Sequence, residues 1–221
     1  MNETDSSDAS DPESLVVLGQ DHVEYGRVEV FVHRGSAAAI SVGSDLDSPS
    51  MRFKTDVDTP NEDALCLMEG DGWAGFAVAD AHYGPESSHV ILSRLGHIWS
   101  NVRPTDLDHL TQMVEFLRHG DPPLTESETT LLVVAYDRAS RTGFGLSFGD
   151  SSFMIIGPER APITINDRDI RFVNTRDRGI LRNGLPFVFE AAPGELLLTF
   201  SSRPACVGGL GCWLGGGLGR S

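Results

Sequence analysis

The residues best suited to chemistry in this 221-residue sequence are acidic and fall at two points, Glu62 with Asp63 and, further along, Asp80. Two apolar runs lie between them, separated by the turn sequence Glu-Gly-Asp-Gly. Asp-Gly and glycine-rich sequences between apolar runs predict a β-hairpin. Such a hairpin would bring the acidic pair and Asp80 together at one end of a sheet. Because neighbouring carboxylates repel one another, their convergence predicts a bound hard metal ion.

The elements that would position these residues predict an α+β fold. β-like segments precede the hairpin, and after it apolar residues recur at helical spacing over residues 85–102 and 105–119. Strand patterns return at residues 129–137, 143–148 and 195–200. An order of strands, hairpin, two helices and further strands predicts helices packed on mainly antiparallel sheets.

The composition limits the partners that we expect. The formal net charge is −15 and the sequence pI is about 4.7. Such a surface repels phosphate-rich polymers, so we expect no nucleic-acid partner, and no apolar run has the length of a membrane span. The acidic N-terminus lacks the basic and apolar regions of a signal peptide, and the three cysteines show no close-paired spacing. We therefore expect a cytoplasmic protein with reduced cysteines and no membrane partner.

The sequence divides into three parts. Residues 1–13 are acidic and poor in apolar side chains, which predicts a disordered tail. Residues 14–206 form the predicted domain. Residues 207–221 are rich in glycine and follow no readable period, and they lack the Lys-Ser/Thr pair of a phosphate-binding loop. We interpret this last segment as a flexible or atypical C-terminus, or as a replacement for a missing terminal strand.

Four short motifs carry a resemblance to a known family: Asn-Glu-Asp at 61–63, Ala-Asp-Ala-His-Tyr-Gly at 79–84, Glu-Thr-Thr at 128–130 and Phe-Gly-Asp-Ser at 148–151. In order and spacing they resemble the metal-dependent type 2C (PPM-type) serine/threonine protein phosphatases, with the helix pair between the second and third motifs. The resemblance implies an antiparallel β-sandwich flanked by helices, in four αββα layers. It also implies a two-metal site at one end of the sandwich.

The resemblance assigns roles to three residues of the second motif and to the two acidic residues of the first. Asp80 matches the aspartate that bridges two Mn²⁺ or Mg²⁺ ions, and Ala81 matches a glycine whose carbonyl is a ligand. Glu62 and Asp63 match acidic residues that hold metal-bound water. His82 matches the histidine that protonates the leaving alcohol. The implied activity is hydrolysis of phosphoserine or phosphothreonine on proteins.

The sequence departs from the family at its later motifs. Ser202 stands where the resemblance places a further metal aspartate, and residues 205–221 contain no acidic side chain. The phosphate-binding arginine is absent at its register, where Arg52 or Lys54 is the available replacement. Because lost carboxylate ligands weaken cation binding, one ion instead of two is the expectation for this divergent or C-terminally incomplete chain.

Three functions follow from these observations. The first is a metal-dependent protein phosphatase acting on a phosphoprotein. The second is a catalytically impaired pseudophosphatase that serves as a regulatory or binding module for a regulatory protein. The third is an unrelated α+β domain in which the acidic residues only solvate turns. In that last case Asp63 and Asp80 would lie on opposite sides of the molecule.

Overall fold

The computed structural model describes residues 13–42, 60–119, 127–159, 161–167, 169, 172–174 and 183–201, together with the backbone of 213–216. These residues form two antiparallel sheets packed face to face, with two helices on the outer face of one of them. The predicted α+β class is confirmed. Of the four predicted layers, this part of the chain forms three, namely one helical layer and both sheets.

The first sheet contains the predicted hairpin at its centre. Its strand order is β1-β4-β5-β7-β8-β11, and the short strand β6 pairs with β5. The bounds are β1 (Glu13–Leu18), β4 (Asp63–Gly70), β5 (Trp73–His82), β6 (Glu128–Thr129), β7 (Leu131–Asp137), β8 (Thr142–Phe148) and β11 (Leu185–Glu190).

The second sheet has the strand order β10-β9-β12-β13-β3-β2. The bounds are β2 (Glu29–His33), β3 (Ser36–Ile40), β9 (Ser152–Ile156), β10 (Ile163–Thr164), β12 (Leu196–Phe200) and β13 (Trp213–Gly216). Strand β13 comes from the segment 207–221 and joins β12 to β3. Part of the glycine-rich C-terminal segment is therefore a strand inside the sheet.

The two helices are α1 (Glu86–Trp99) and α2 (Leu107–His119), close to the predicted bounds. Helix α1 packs so closely on the first sheet that a Cβ at Gly96 would lie 2.5 Å from Cγ2 of Val16. Its last residue, Trp99, meets Trp73 of β5 edge to face at 6.2 Å. Within the described ranges, no helix is both long enough and apolar enough to cross a bilayer.

Strands β4 and β5 are covered on both faces, which explains why their sequences are continuously apolar and show no alternation. Leu65 and Phe76 point into the core between the two sheets. Cys66 and Ala77 point into the core beneath the helices. Because successive side chains of a strand point to opposite faces, this assignment also decides where the acidic residues at the strand ends point.

Candidate functional site

Asp63 and Asp80 lie directly opposite each other at one end of the β4–β5 hairpin. Asp63 lies on the same face of β4 as Leu65, and Asp80 on the same face of β5 as Phe76, so both belong to the face that meets the second sheet. The exposed fractions of these residues are 7% and 4%. The predicted hairpin and the predicted convergence of these two residues are confirmed. The alternative that placed them on opposite sides of the molecule is wrong.

Glu62 contacts the loop after β5 and the start of α1. Its Oε1 accepts a hydrogen bond from the N–H of Gly84 at 3.1 Å, and its carbonyl oxygen accepts one from Ser88 Oγ in the first turns of α1. Glu62 therefore ties the loop after β5 to the start of α1. In the register of the hairpin, Asp63 is the residue of the acidic pair that lies opposite Asp80.

The backbone of Asp80 is held by Thr130 from both sides. The N–H of Asp80 donates to Thr130 Oγ1 at 3.0 Å, and the N–H of Thr130 donates to the carbonyl oxygen of Asp80 at 3.0 Å. Ser151 Oγ in turn lies 3.4 Å from Thr130 Oγ1. The Glu-Thr-Thr and Phe-Gly-Asp-Ser motifs thus meet behind Asp80 and position it.

The second sheet also reaches Asp80. Ser201, which follows β12, donates its hydroxyl proton to Asp80 Oδ2 at 2.9 Å. The resemblance pointed to Ser202, which lies outside the described residues. Leu197 and Thr199 are buried, and Leu197 belongs to the core between the sheets. Continuing the two-residue period past Thr199 leads to Ser201, so the alternation of β12 carried the signal that the motif comparison missed.

His82 lies in the exposed part of the site. Ala81 before it is fully buried and pairs with Thr129, whereas His82 is exposed and lies opposite Glu128 across the β5–β6 pair. The ring of Phe172 approaches His82 edge-on, with 5.3 Å between centroids. The sequence comparison missed Phe172, because its segment carries no motif that we could place.

A buried polar network fixes the loops around this corner. The N–H of Ser87, at the start of α1, donates to Ser127 Oγ at 2.8 Å. Asn174 donates from Nδ2 to Ser87 Oγ at 3.0 Å and accepts from the N–H of Thr129 through Oδ1 at 3.0 Å. Buried hydrogen bonds therefore tie the start of α1 and strand β6 to the loop segments at Ser127 and Asn174.

Two titratable side chains are buried in this region: His89 lies near the site, and Cys66 lies in the core beneath the helices. Burial lowers the pKa of His89, and the backbone of Asp63 and the carboxylates of Asp21 and Glu86 oppose that shift. Burial also raises the pKa of the Cys66 thiol to about 12. The Cys66 thiol is consequently protonated at neutral pH and packs as a small side chain in that core.

The donor set suits one divalent cation better than two. Asp63 and Asp80 are carboxylates paired in register, and a cation between them would offset their repulsion. Glu62 accepts a hydrogen bond from the N–H of Gly84, and Ser201 brings a neutral hydroxyl to Asp80 in place of a charge. Within the described residues, no group of three or more His, Cys, Asp or Glu side chains is arranged to hold a metal.

Other predicted site residues lie outside the part of the chain that the structure describes. These are Arg52 and Lys54, the two candidates for binding phosphate. Their role stays a prediction, as do the roles assigned to Glu62, Asp63, Asp80, Ala81 and His82.

Comparison with known proteins identifies the fold. No protein-family model matches the sequence, and no curated protein matches it. Among solved structures, the catalytic domain of the serine/threonine protein phosphatase PstP in complex with two manganese ions is 18% identical, with a TM-score of 0.53 and 82% of each chain covered. RsbX in complex with magnesium is 11% identical, with a TM-score of 0.53 and 81% of each chain covered.

A third similar structure is the S. agalactiae serine/threonine phosphatase. It is 14% identical, with a TM-score of 0.50, and the match covers 63% of this chain and 72% of that one. The structural similarity establishes a shared fold, and sequence identities this low leave the activity open. The chain has the type 2C phosphatase fold, as the motif order predicted.

Proposed function

We propose that this chain, which has the fold of the type 2C serine/threonine phosphatases, hydrolyses phosphoserine or phosphothreonine on proteins with the help of Mn²⁺ or Mg²⁺. The observation that carries the proposal is the pairing of Asp63 with Asp80 at the end of the hairpin, beside the exposed His82. Buried paired carboxylates next to an exposed imidazole would join a cation site to a proton donor, a combination that accelerates phosphoester hydrolysis.

In this proposal, four residues have separate roles in the hydrolysis. Asp63 and Asp80 would hold one cation, which when bound neutralises phosphate charge and acidifies a water molecule. Thr130 keeps the backbone of Asp80 in place through its two hydrogen bonds. His82 lies at the exposed edge of the site, where its imidazole would give a proton to the departing serine or threonine oxygen.

The test is hydrolysis of a phosphoserine peptide by the full chain with Mn²⁺ present. We expect chelation of the metal or the substitution Asp80→Asn to reduce the rate by at least about a hundredfold, which corresponds to about 2.7 kcal/mol of transition-state stabilisation. The matched control is Asp71→Asn, because Asp71 is an exposed aspartate in the turn at the other end of the same hairpin. Turnover that survives both chelation and Asp80→Asn would refute the proposal.

The contact between Ser201 and Asp80 favours a second candidate, a catalytically impaired pseudophosphatase that binds a phosphoprotein or a regulatory protein. A neutral hydroxyl against Asp80 adds no charge for a second ion, so the chain would retain recognition without turnover. Calorimetric titration with Mn²⁺ separates the candidates. Turnover with Mn²⁺ bound, whether as one ion or two, would exclude the pseudophosphatase, whereas phosphopeptide binding without hydrolysis would favour it.

For either candidate we propose a cytoplasmic protein whose partner is a protein and not a nucleic acid. The net charge of −15 supports this choice, because a strongly negative surface repels a phosphate backbone. Retention of the purified chain on immobilised DNA or RNA at physiological salt would contradict it.

A further inference from the structure

Three aromatic rings stand together at the exposed edge of the candidate site, and we call them the aromatic rim: His82, Tyr83 and Phe172. The ring centroids of His82 and Phe172 are 5.3 Å apart, and those of His82 and Tyr83 are 6.4 Å apart. Both pairs meet edge to face. Tyr83 is 49% exposed and His82 is also exposed, so this group of rings lies at the surface of the molecule.

The backbone holds Tyr83 in this position at a conformational cost. Its φ is 67°, a left-handed value that bulky side chains rarely adopt, and Gly84 follows with φ 121°. The hydrogen bond from the Gly84 N–H to Glu62 fixes the turn. Backbone strain of this kind persists only where surrounding contacts enforce it, and such strain concentrates at functional sites. The structure thus turns an exposed tyrosine outward beside His82.

Phe172 comes from a different segment, and that segment is anchored independently. Buried Arg118 of α2 donates from Nε to the carbonyl oxygen of Val173 at 2.8 Å. Asn174 is buried and donates from Nδ2 to the carbonyl oxygen of Ser127 at 2.8 Å. Two buried hydrogen-bonding side chains immediately around Phe172 therefore hold its ring against His82.

Two carboxylates, those of Glu128 and Glu86, belong to residues beside the aromatic rim. Glu128 is the direct cross-strand neighbour of His82, and side chains at such positions share one face of the sheet. The Oε2 of Glu86 lies 2.4 Å from the point where a Cβ at Gly84 would stand, so its carboxylate is close to the turn. Exposed rings beside negative charge attract a cation, and the planar guanidinium of arginine stacks best on such rings.

We propose that the aromatic rim binds the guanidinium of an arginine that flanks the phosphorylated residue of a protein substrate. This inference rests on the proposed function, because it names the sequence that the phosphoprotein site selects. The rings supply the stacking surface, Glu128 supplies the countercharge, and the anionic surface of the whole chain raises the local concentration of basic peptides.

The experiment measures binding of labelled peptides to the full chain by fluorescence anisotropy. One phosphoserine peptide carries arginine on both sides of the phosphoserine, and its partner carries glutamine at the same positions. We expect the arginine peptide to bind about five- to tenfold more tightly at low salt, as an exposed cation–π contact with a neighbouring carboxylate allows. Phe172→Leu, Tyr83→Asn and Glu128→Gln should each reduce this preference to about twofold or less.

The control variant is Phe116→Leu, because Phe116 is a phenylalanine of α2 that is 69% exposed and belongs to no part of the site. It should retain the full preference. Asparagine is chosen at position 83 because it tolerates positive φ, so that variant removes the ring without adding backbone strain. Equal affinity for the two peptides, or a preference that survives in all three rim variants, would overturn the inference.

Hydrolysis of the same peptides separates this inference from the proposed function. If both peptides are hydrolysed with equal KM, the aromatic rim does not select arginine, and the phosphatase proposal stands. A different outcome is that neither peptide is hydrolysed, yet the chain binds the arginine peptide more tightly and Phe172→Leu abolishes this preference. In that case the rim proposal stands and the catalytic one fails. For an active chain we expect the preference in KM, with kcat changed by less than about twofold.

Discussion

The replacement Ser201→Asp tests how the second sheet controls the candidate metal site. The hydroxyl of Ser201 lies 2.9 Å from Asp80 Oδ2, and both residues are buried. An aspartate at position 201 would add a third carboxylate beside the Asp63–Asp80 pair. It would also remove the hydrogen bond that Ser201 donates, so without metal the change removes an attraction and adds a repulsion.

The size of the effect follows from this geometry. Two unit charges about 4 Å apart interact by roughly 4 kcal/mol at an effective dielectric constant of about 20. Protonation of one carboxylate relieves part of this repulsion, while the lost hydrogen bond costs about 1 kcal/mol. We therefore expect the metal-free Ser201→Asp variant to lose about 2–4 kcal/mol of unfolding free energy.

Metal should reverse the loss. A third carboxylate raises cation affinity, and a ligand at one hundred times its Kd stabilises the folded state by about 2.7 kcal/mol. The assay is urea unfolding of the parent and the variant with chelator and with Mn²⁺, together with calorimetric titration of Mn²⁺. We expect Ser201→Asp to bind Mn²⁺ at least about tenfold more tightly than the parent chain.

Ser201→Asn is the matched control, since an asparagine side chain has nearly the same size and hydrogen-bonding reach as an aspartate but carries no charge. It should lose less stability than Ser201→Asp in chelator and gain nothing from Mn²⁺ beyond the parent. If the aspartate and asparagine variants unfold at the same urea concentration in chelator, and neither responds to Mn²⁺ differently from the parent, the placement of Ser201 against the metal site is refuted.

Three further predictions concern the framework of the sandwich. Glu69→Gln removes a buried charge that pairs with Arg138 and accepts a hydrogen bond from Ser36. This change should lower the free energy of unfolding, measured in urea, by about 2–4 kcal/mol. Gly96→Ala should cost about 1–3 kcal/mol despite better helix propensity, because its Cβ meets Val16, and adding Val16→Ala should restore much of the loss. A hydrogen bond from the N–H of Ser140 and a second, weaker contribution from the Arg103 guanidinium lower the pKa of Asp137 to about 2. The folded state therefore gains stability from Asp137 above about pH 4 and loses it as the pH falls toward 2, whereas Asp137→Asn should show a smaller fall in unfolding free energy over that range.

The convergence of Asp63 and Asp80 was predictable because it depends only on local signals. Apolar runs and a glycine-rich turn specify a hairpin, and the register of a hairpin follows from its turn. The two helices were predictable for the same reason, since their periodicity lies within continuous segments. Metal affinity and catalysis do not follow from that register alone, and they stay proposals.

The contact between Ser201 and Asp80 had a local signal that the motif comparison did not use. Alternation along β12 selects Ser201 over its neighbour, and this two-residue period was in the sequence. The sequence did not show which face of the strands met the helices and which met the second sheet, because that assignment requires the packed sandwich.

The sequence by itself determined the order of the elements, the hairpin and the acidic pair at its end. Only the tertiary structure decided that β13 enters the second sheet and that Phe172 packs against His82. A glycine-rich strand carries no hydrophobic period, and the segment of Phe172 is held by hydrogen bonds to Arg118 and Ser127, which are distant from it in sequence. Contacts between distant segments come from packing and buried hydrogen bonds, which have no signature in any single stretch of chain.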